Sequence, residues 1–229
     1  MRLIQKLIKE KDIRTFLIRL ATGIVFGVIF WSVYIWFPPI YFTLLLGLIL
    51  ATVILFEWKN FYHPRTIWYW LYLPIYPTLP FLLIMYFNHT SEYRVLLLYL
   101  FILAFAHDTG AYIIGSLFGK HKIWPSISPK KTWEGFIGGY VFALIGMKTL
   151  LWEKGVTKSW SFVLIFVLWT CFLVFLGDIF ESKLKRRADI KDSGNLLPGH
   201  GGFLDRFDGI LFAVFFFYFL RDWLVIVLR

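Results

Sequence analysis

Six carboxylates, six Lys/Arg, one His and four Gly crowd into residues 178–208, DIFESKLKRRADIKDSGNLLPGHGGFLDRFD, in a chain that is otherwise mostly apolar. Asp178 is followed at i+3, i+4 and i+7 by Glu181, Ser182 and Lys185, which share one face if the helix before them continues. Asp205 and Asp208 stand three apart where the next apolar run begins. Oxygen-rich carboxylate groups near phosphates are what Mg²⁺ prefers. Lys185, Arg186, Arg187, Lys191 and Arg206 have the charge to hold phosphate. Gly199, Gly201 and Gly202 let backbone come close to an anion, with His200 between them as a donor to phosphate or a brace for the turn.

A second group lies upstream. Asp108 follows His107 inside an apolar run, where a carboxylate needs a cation, a metal or water. Ser126, Ser128, Lys130, Lys131 and Thr132 offer hydroxyls and cations just before Trp133-Glu134-Gly135. Each feature also has a plainer reading. Asp178 could end a helix in water, Asp108 could pair with a neighbouring helix, and Asp205 could cap a helix N-terminus. The basic runs could mark only the side of a membrane.

The elements that must position these residues are apolar. The chain has 229 residues, 59% hydrophobic, with mean hydropathy +0.69, against 45–50% apolar in ordinary soluble domains. This is the composition of a polytopic membrane protein, all-α, read as one membrane domain over 1–229: 1–99 as N-terminal helices, 100–229 as the helices and loops that carry the candidate site residues. A net charge of +10 in a soluble chain would suggest nucleic acid; here membrane topology accounts for it, and no nucleic-acid partner is expected. The single Cys171 forms no intrachain disulfide.

About seven spans are expected: 20–37, 41–58, 66–87, 94–115, 133–152, 160–180 and 209–228. The third contains Pro74, Pro77 and Pro80 and should be kinked or broken. Residues 57–65 read as a polar connection. With the N-terminus cytoplasmic, the inside segments hold 18 of the 24 Lys/Arg. That orientation puts 116–133 and 181–207 on one face and makes a composite site there plausible.

Ser182-x-Leu184-Lys185-Arg186, Lys191-Asp192-x-Gly194 and Leu197-Pro198-x-His200-Gly201-Gly202-Phe203-x-Asp205-Arg206-x-Asp208 form one run of 27 positions. It resembles the pattern of the phosphatidate cytidylyltransferases (CDP-diacylglycerol synthases) without departure. Asp108-Thr109-Gly110-Ala111-Tyr112 and Ser128-Pro129-Lys130-Lys131-Thr132-Trp133-Glu134-Gly135 resemble that family too. The resemblance covers about 100–210. It implies a multi-pass cell-membrane enzyme, usually a homodimer, that uses CTP and Mg²⁺, with room for a second cation, to convert phosphatidic acid to CDP-diacylglycerol and pyrophosphate. On that reading Asp178, Asp205 and Asp208 are metal ligands and, with Lys185, the catalytic set. Asp108, Ser128, Lys130, Lys131, Ser182, Arg186, Lys191, His200, Gly201, Gly202 and Arg206 bind substrate at the cytoplasmic face, where the lipid stays in the bilayer. Two rivals use the same residue types: a lipid-phosphate enzyme such as a polyprenol kinase, and a transporter of anions built around Asp108 and the broken third span.

Overall fold

In the computed structural model the backbone is described for residues 2–228; the side chains of 1–16 and 19 lie outside the described residues. The helices are α1 (Arg2–Trp36), α2 (Pro39–Phe61), α3 (Ile67–His89), α4 (Arg94–Phe118), α5 (Trp133–Glu153), α6 (Trp160–Arg187), α7 (Leu204–Phe219) and α8 (Arg221–Leu228). Five of them, α2 to α6, are long and apolar enough to cross a membrane, and six do so if α7 and α8 count as one bent span. The apolar part of α1, Leu20–Trp36, is shorter. The chain is therefore an all-α, polytopic membrane protein.

Three details depart from the sequence reading. The last span, expected unbroken over 209–228, bends by 85° between α7 and α8. Arg221 and Asp222 sit at the bend: the Arg221 guanidinium donates to the Tyr218 carbonyl at 2.9 Å and Asp222 accepts from the Tyr93 hydroxyl. Polar groups thus interrupt the apolar face and turn the chain aside. The basic loop between α4 and α5 holds a two-stranded hairpin, β1 (Lys122–Trp124) against β2 (Ser128–Thr132). Residues 57–61, read as connection, continue α2, and Glu57 and Trp58 are fully buried. The expected break in α3 is present at Tyr76, whose φ −148° and ψ 112° leave the helical region among the three prolines.

Close helix approach positions the polar end of the bundle. A Cβ on Gly138 of α5 would lie 2.4 Å from the Ile114 side chain of α4, so that side chain sits against the α5 backbone where only hydrogen fits. The α6–α7 pair is built the same way: a Cβ on Gly177 would lie 2.4 Å from the Asp208 carbonyl, and one on Gly209 would lie 2.6 Å from Val174. These two glycines immediately adjoin Asp178 and Asp208 in sequence, so the tightest crossing of the pair brings the two carboxylates to one place. Gly138→Val is expected to cost about 1–3 kcal/mol through overpacking, read as a lower unfolding midpoint in detergent; an unchanged midpoint would show that α4 and α5 have slack.

Candidate active site

The helices return alternately, so the ends of α4 and α6 and the starts of α5 and α7 meet at one end of the bundle, where both polar segments converge. The helical face foreseen from the spacing exists: α6 runs on to Arg187, and Glu181, Ser182 and Lys185 lie on it beyond Asp178. The hairpin closes over this end. Lys131 of β2 forms an ion pair with Asp178, its ammonium 4.8 Å from the centre of the Phe175 ring. Arg186 ties the hairpin to the loop beyond α6, donating to the carbonyls of Ile127 (3.4 Å) and Ile190 (3.2 Å). Glu134 fixes the base of the hairpin: its carboxylate contacts the His121 ring at 2.5 Å and accepts from the amides of Lys120 and His121.

The result is a cleft of about 370 Å³. Of the residues singled out from sequence, it is lined by Asp108, Ser128, Lys130, Lys131, Asp178, Lys185, Asp205, Arg206 and Asp208. His107 and Asp192 complete its polar wall. A second cavity of about 400 Å³ opens on the α1 side and shares Asp108, Asp205 and Arg206 with the first. Its other wall is largely apolar, with Phe26, Phe30 and Trp31 of α1 and Phe105 of α4, and His200 stands at its polar end. Ser182, Arg186, Lys191, Gly201 and Gly202 line neither cavity. Ser182 donates to Asp178 at 3.3 Å. Gly201, at φ +83°, and Gly202 bring backbone against Asp205, and a Cβ on Gly201 would lie 2.5 Å from the Asp205 carboxylate.

Asp205 is held on both oxygens. Oδ1 accepts from Lys185 at 2.7 Å; Oδ2 accepts from the amides of Ser193 and Gly202 and from the Ser193 hydroxyl, each at 2.8 Å. Lys185 also pairs with Glu181 at 3.1 Å, and Glu181, fully buried, accepts from the Tyr76 hydroxyl at 3.3 Å. Tyr76 reaches this carboxylate because α3 is broken there. Asp208 shares the cleft with Asp108 and Asp178, and its Oδ1 accepts from its neighbouring amide, Gly209, at 2.7 Å.

Glu57 is the residue that sequence reasoning missed. It accepts from the amides of Phe203 (2.7 Å) and Leu204 (2.9 Å) and from the Ser193 hydroxyl (3.0 Å). Asn60, one turn on, donates to the Ser193 carbonyl at 2.8 Å. The signal was available: Glu57 lies between Phe56 and Trp58 in an apolar run, the same anomaly that drew attention to Asp108.

The donor chemistry suits a hard divalent cation, because Asp108, Asp178, Asp205 and Asp208 offer oxygens around one cleft. Among the described residues no three of His, Cys, Asp or Glu already stand as a ligand cluster. Lys131 and Lys185 sit on two of the carboxylates instead.

Fold and site together define a polytopic membrane protein with a cleft of acids and lysines at one end of its helices, suited to polyanions. The cytidylyltransferase family model matches residues 3–224, and the chain belongs to that family. It is 45% identical over 143 residues to the phosphatidate cytidylyltransferase of Bacillus subtilis (strain 168), covering 59% of this chain and 53% of that protein. It is 47% identical over 132 residues to the protein of the same name from Staphylococcus haemolyticus (strain JCSC1435), and 45% over 131 residues to that of Staphylococcus aureus (strain COL), covering 57% of this chain and 50% of each. The chain spans about half the length of the curated relatives it matches.

Proposed function

We propose that the chain transfers the cytidylyl group of CTP to phosphatidic acid, forming CDP-diacylglycerol and releasing pyrophosphate. The observation that carries this reading is the shared edge of the two cavities. A polar cleft suited to a nucleotide triphosphate adjoins an apolar-walled one suited to a lipid, and Asp108, Asp205 and Arg206 border both. An oxygen of the lipid phosphate attacks the α-phosphorus of CTP; the new P–O bond forms as the bond to the bridging oxygen breaks, and pyrophosphate carries the charge away. The nucleophile is already ionised, so positioning and charge neutralisation dominate.

In this reading Lys131 and Lys185 exchange partners when substrate enters. Each moves from its carboxylate, Asp178 or Asp205, to a phosphate oxygen. The freed oxygens of Asp178 and Asp205, with Asp208, are then the set that would hold Mg²⁺, with room for a second cation. Bound there, the metal supplies charge neutralisation between the phosphates. Ser128, Lys130 and Asp108 face the nucleotide, and Arg206 stands where the lipid phosphate meets it. His200 lies on the lipid side, Arg186 holds the loop beyond α6, exposed Lys191 offers a further cation to substrate, Ser182 orients Asp178, and Gly201 and Gly202 keep the loop close to Asp205.

We propose further that the chain acts as one membrane domain in the cell membrane, as a homodimer and without nucleic acid. Its N-terminus is cytoplasmic, its seven passes include Leu20–Trp36 and the bent α7–α8 pair, and the cleft opens to the cytoplasm. Maleimide labelling of sealed vesicles checks the orientation. Ser126→Cys and Asn195→Cys, both exposed positions, are expected to react only from the cytoplasmic side; labelling from opposite sides would contradict a composite site. Purified protein given CTP and phosphatidate with and without Mg²⁺ tests the activity itself: CDP-lipid is expected only with the metal, and none under either condition would remove the reading.

A further inference from the structure

We propose that Glu57 is a positioning residue of this site: a carboxylate on α2 that holds the first turn of α7, and through it Asp205 and Asp208, in working position. Helix α7 begins without a cap of its own. Phe203 stands at its N-cap with no side-chain acceptor, so the first amides need partners from elsewhere. Glu57 provides them from a different helix, one oxygen to Phe203 and the other to Leu204. Its negative charge also lies at the positive end of the α7 dipole.

The surroundings are shaped to this carboxylate. A Cβ on Gly194 would lie 3.0 Å from the Glu57 side chain, and one on Gly202 would lie 2.5 Å from its carboxyl carbon. Two glycines of the 182–208 run therefore leave room for a residue far outside it. The Ser193 hydroxyl stands between two carboxylates, 3.0 Å from Glu57 and 2.8 Å from Asp205, and links the positioning group to the site. Asn60 holds the Ser193 carbonyl from the same helix. Glu57 itself is fully buried and lines neither cavity, so it acts through α7 and not by touching substrate.

Glu57→Gln keeps the shape but offers a donor where an acceptor is needed, so one amide of the first turn loses its partner. The test uses the full chain in detergent and reads amide hydrogen exchange beside kinetics. Exchange of 193–204 is expected to rise by about tenfold or more in Glu57→Gln, with α5 and the apolar part of α6 unchanged. Turnover should fall by about tenfold or more while KM for CTP moves less than about threefold, and Glu57→Asp should recover part of the loss. Wild-type exchange at 193–204, or a uniform rise through every helix, would overturn the proposal. If Glu57→Gln does not fold, Ser193→Ala decides it: this variant keeps both backbone bonds to Glu57 and removes the hydroxyl that links Glu57 to Asp205. It should show a smaller rise confined to the same segment, and an unchanged segment would overturn the assignment. The kinetic arm rests on the proposed cytidylyl transfer and the exchange arm does not. Wild-type protein that makes no CDP-lipid would remove the activity and leave the exchange result to stand.

Discussion

Asp208→Asn is expected to lower turnover by about a hundredfold or more and to leave the unfolding midpoint unchanged or higher. The two effects go in opposite directions for one reason. Asp208 shares its cleft with Asp108, Asp178 and Asp205, so it stands among like charges. The amide of Gly209, which donates to it, can be received by an asparagine oxygen just as well. Losing the charge therefore relieves repulsion in the resting protein. In the proposed reaction a cation and two polyanions come to this place, and a carboxylate beside Asp178 is needed then. A residue kept only to begin a helix behaves otherwise: activity would survive the change. Turnover near that of the wild type, with unchanged Mg²⁺ dependence, would place the charge of Asp208 outside the reaction.

Lys185→Ala is expected to cost about 3–5 kcal/mol of stability, because it strips the partner from buried carboxylates. The resemblance gives both Lys185 and Arg186 to the substrates; their surroundings differ. The Lys185 ammonium lies 3.1 Å from Glu181 and 2.7 Å from Asp205, with its side chain about one-tenth exposed. Arg186 is exposed and donates to carbonyls of the hairpin and loop. Arg186→Ala should therefore change the midpoint little and raise KM for CTP by loosening the hairpin. Lys185→Met combined with Glu181→Gln should recover part of the lost folding without recovering turnover, since it removes the Glu181 charge, leaves Asp205 its amide and hydroxyl donors, and takes away the cation proposed to meet phosphate. Thermal unfolding of the four proteins in detergent checks this, and a Lys185→Ala midpoint equal to that of Arg186→Ala would contradict it.

What was legible in the sequence follows from what is local. The polar stretch was visible as one block, and the i+3, i+4, i+7 spacing from Asp178 placed Glu181, Ser182 and Lys185 on one helical face. Three prolines announced the break in α3. Charge counting put 116–133 and 181–207 on one face and made a composite site plausible, but not the hairpin that closes over it. What was hidden depends on partners distant along the chain. Glu57 reads as the edge of a connection until Phe203 and Leu204 are seen to donate to it. Asp205 reads as a free ligand until Ser193, Gly202 and Lys185 are found around it. The bend after Phe219 has no proline to mark it, and it arises where Arg221 and Asp222 find Tyr218 and Tyr93. Hydropathy alone reads straight through that point.

The account stands or falls on which phosphorus of the nucleotide reaches the lipid. Purified protein in micelles containing phosphatidate and Mg²⁺ can be given CTP labelled at either the α- or the γ-phosphorus. Cytidylyl transfer puts the α label in the lipid and the γ label in pyrophosphate, with neither moving when Mg²⁺ is chelated. Appearance of the γ label in the lipid, or of no label in the lipid from either nucleotide, would contradict it.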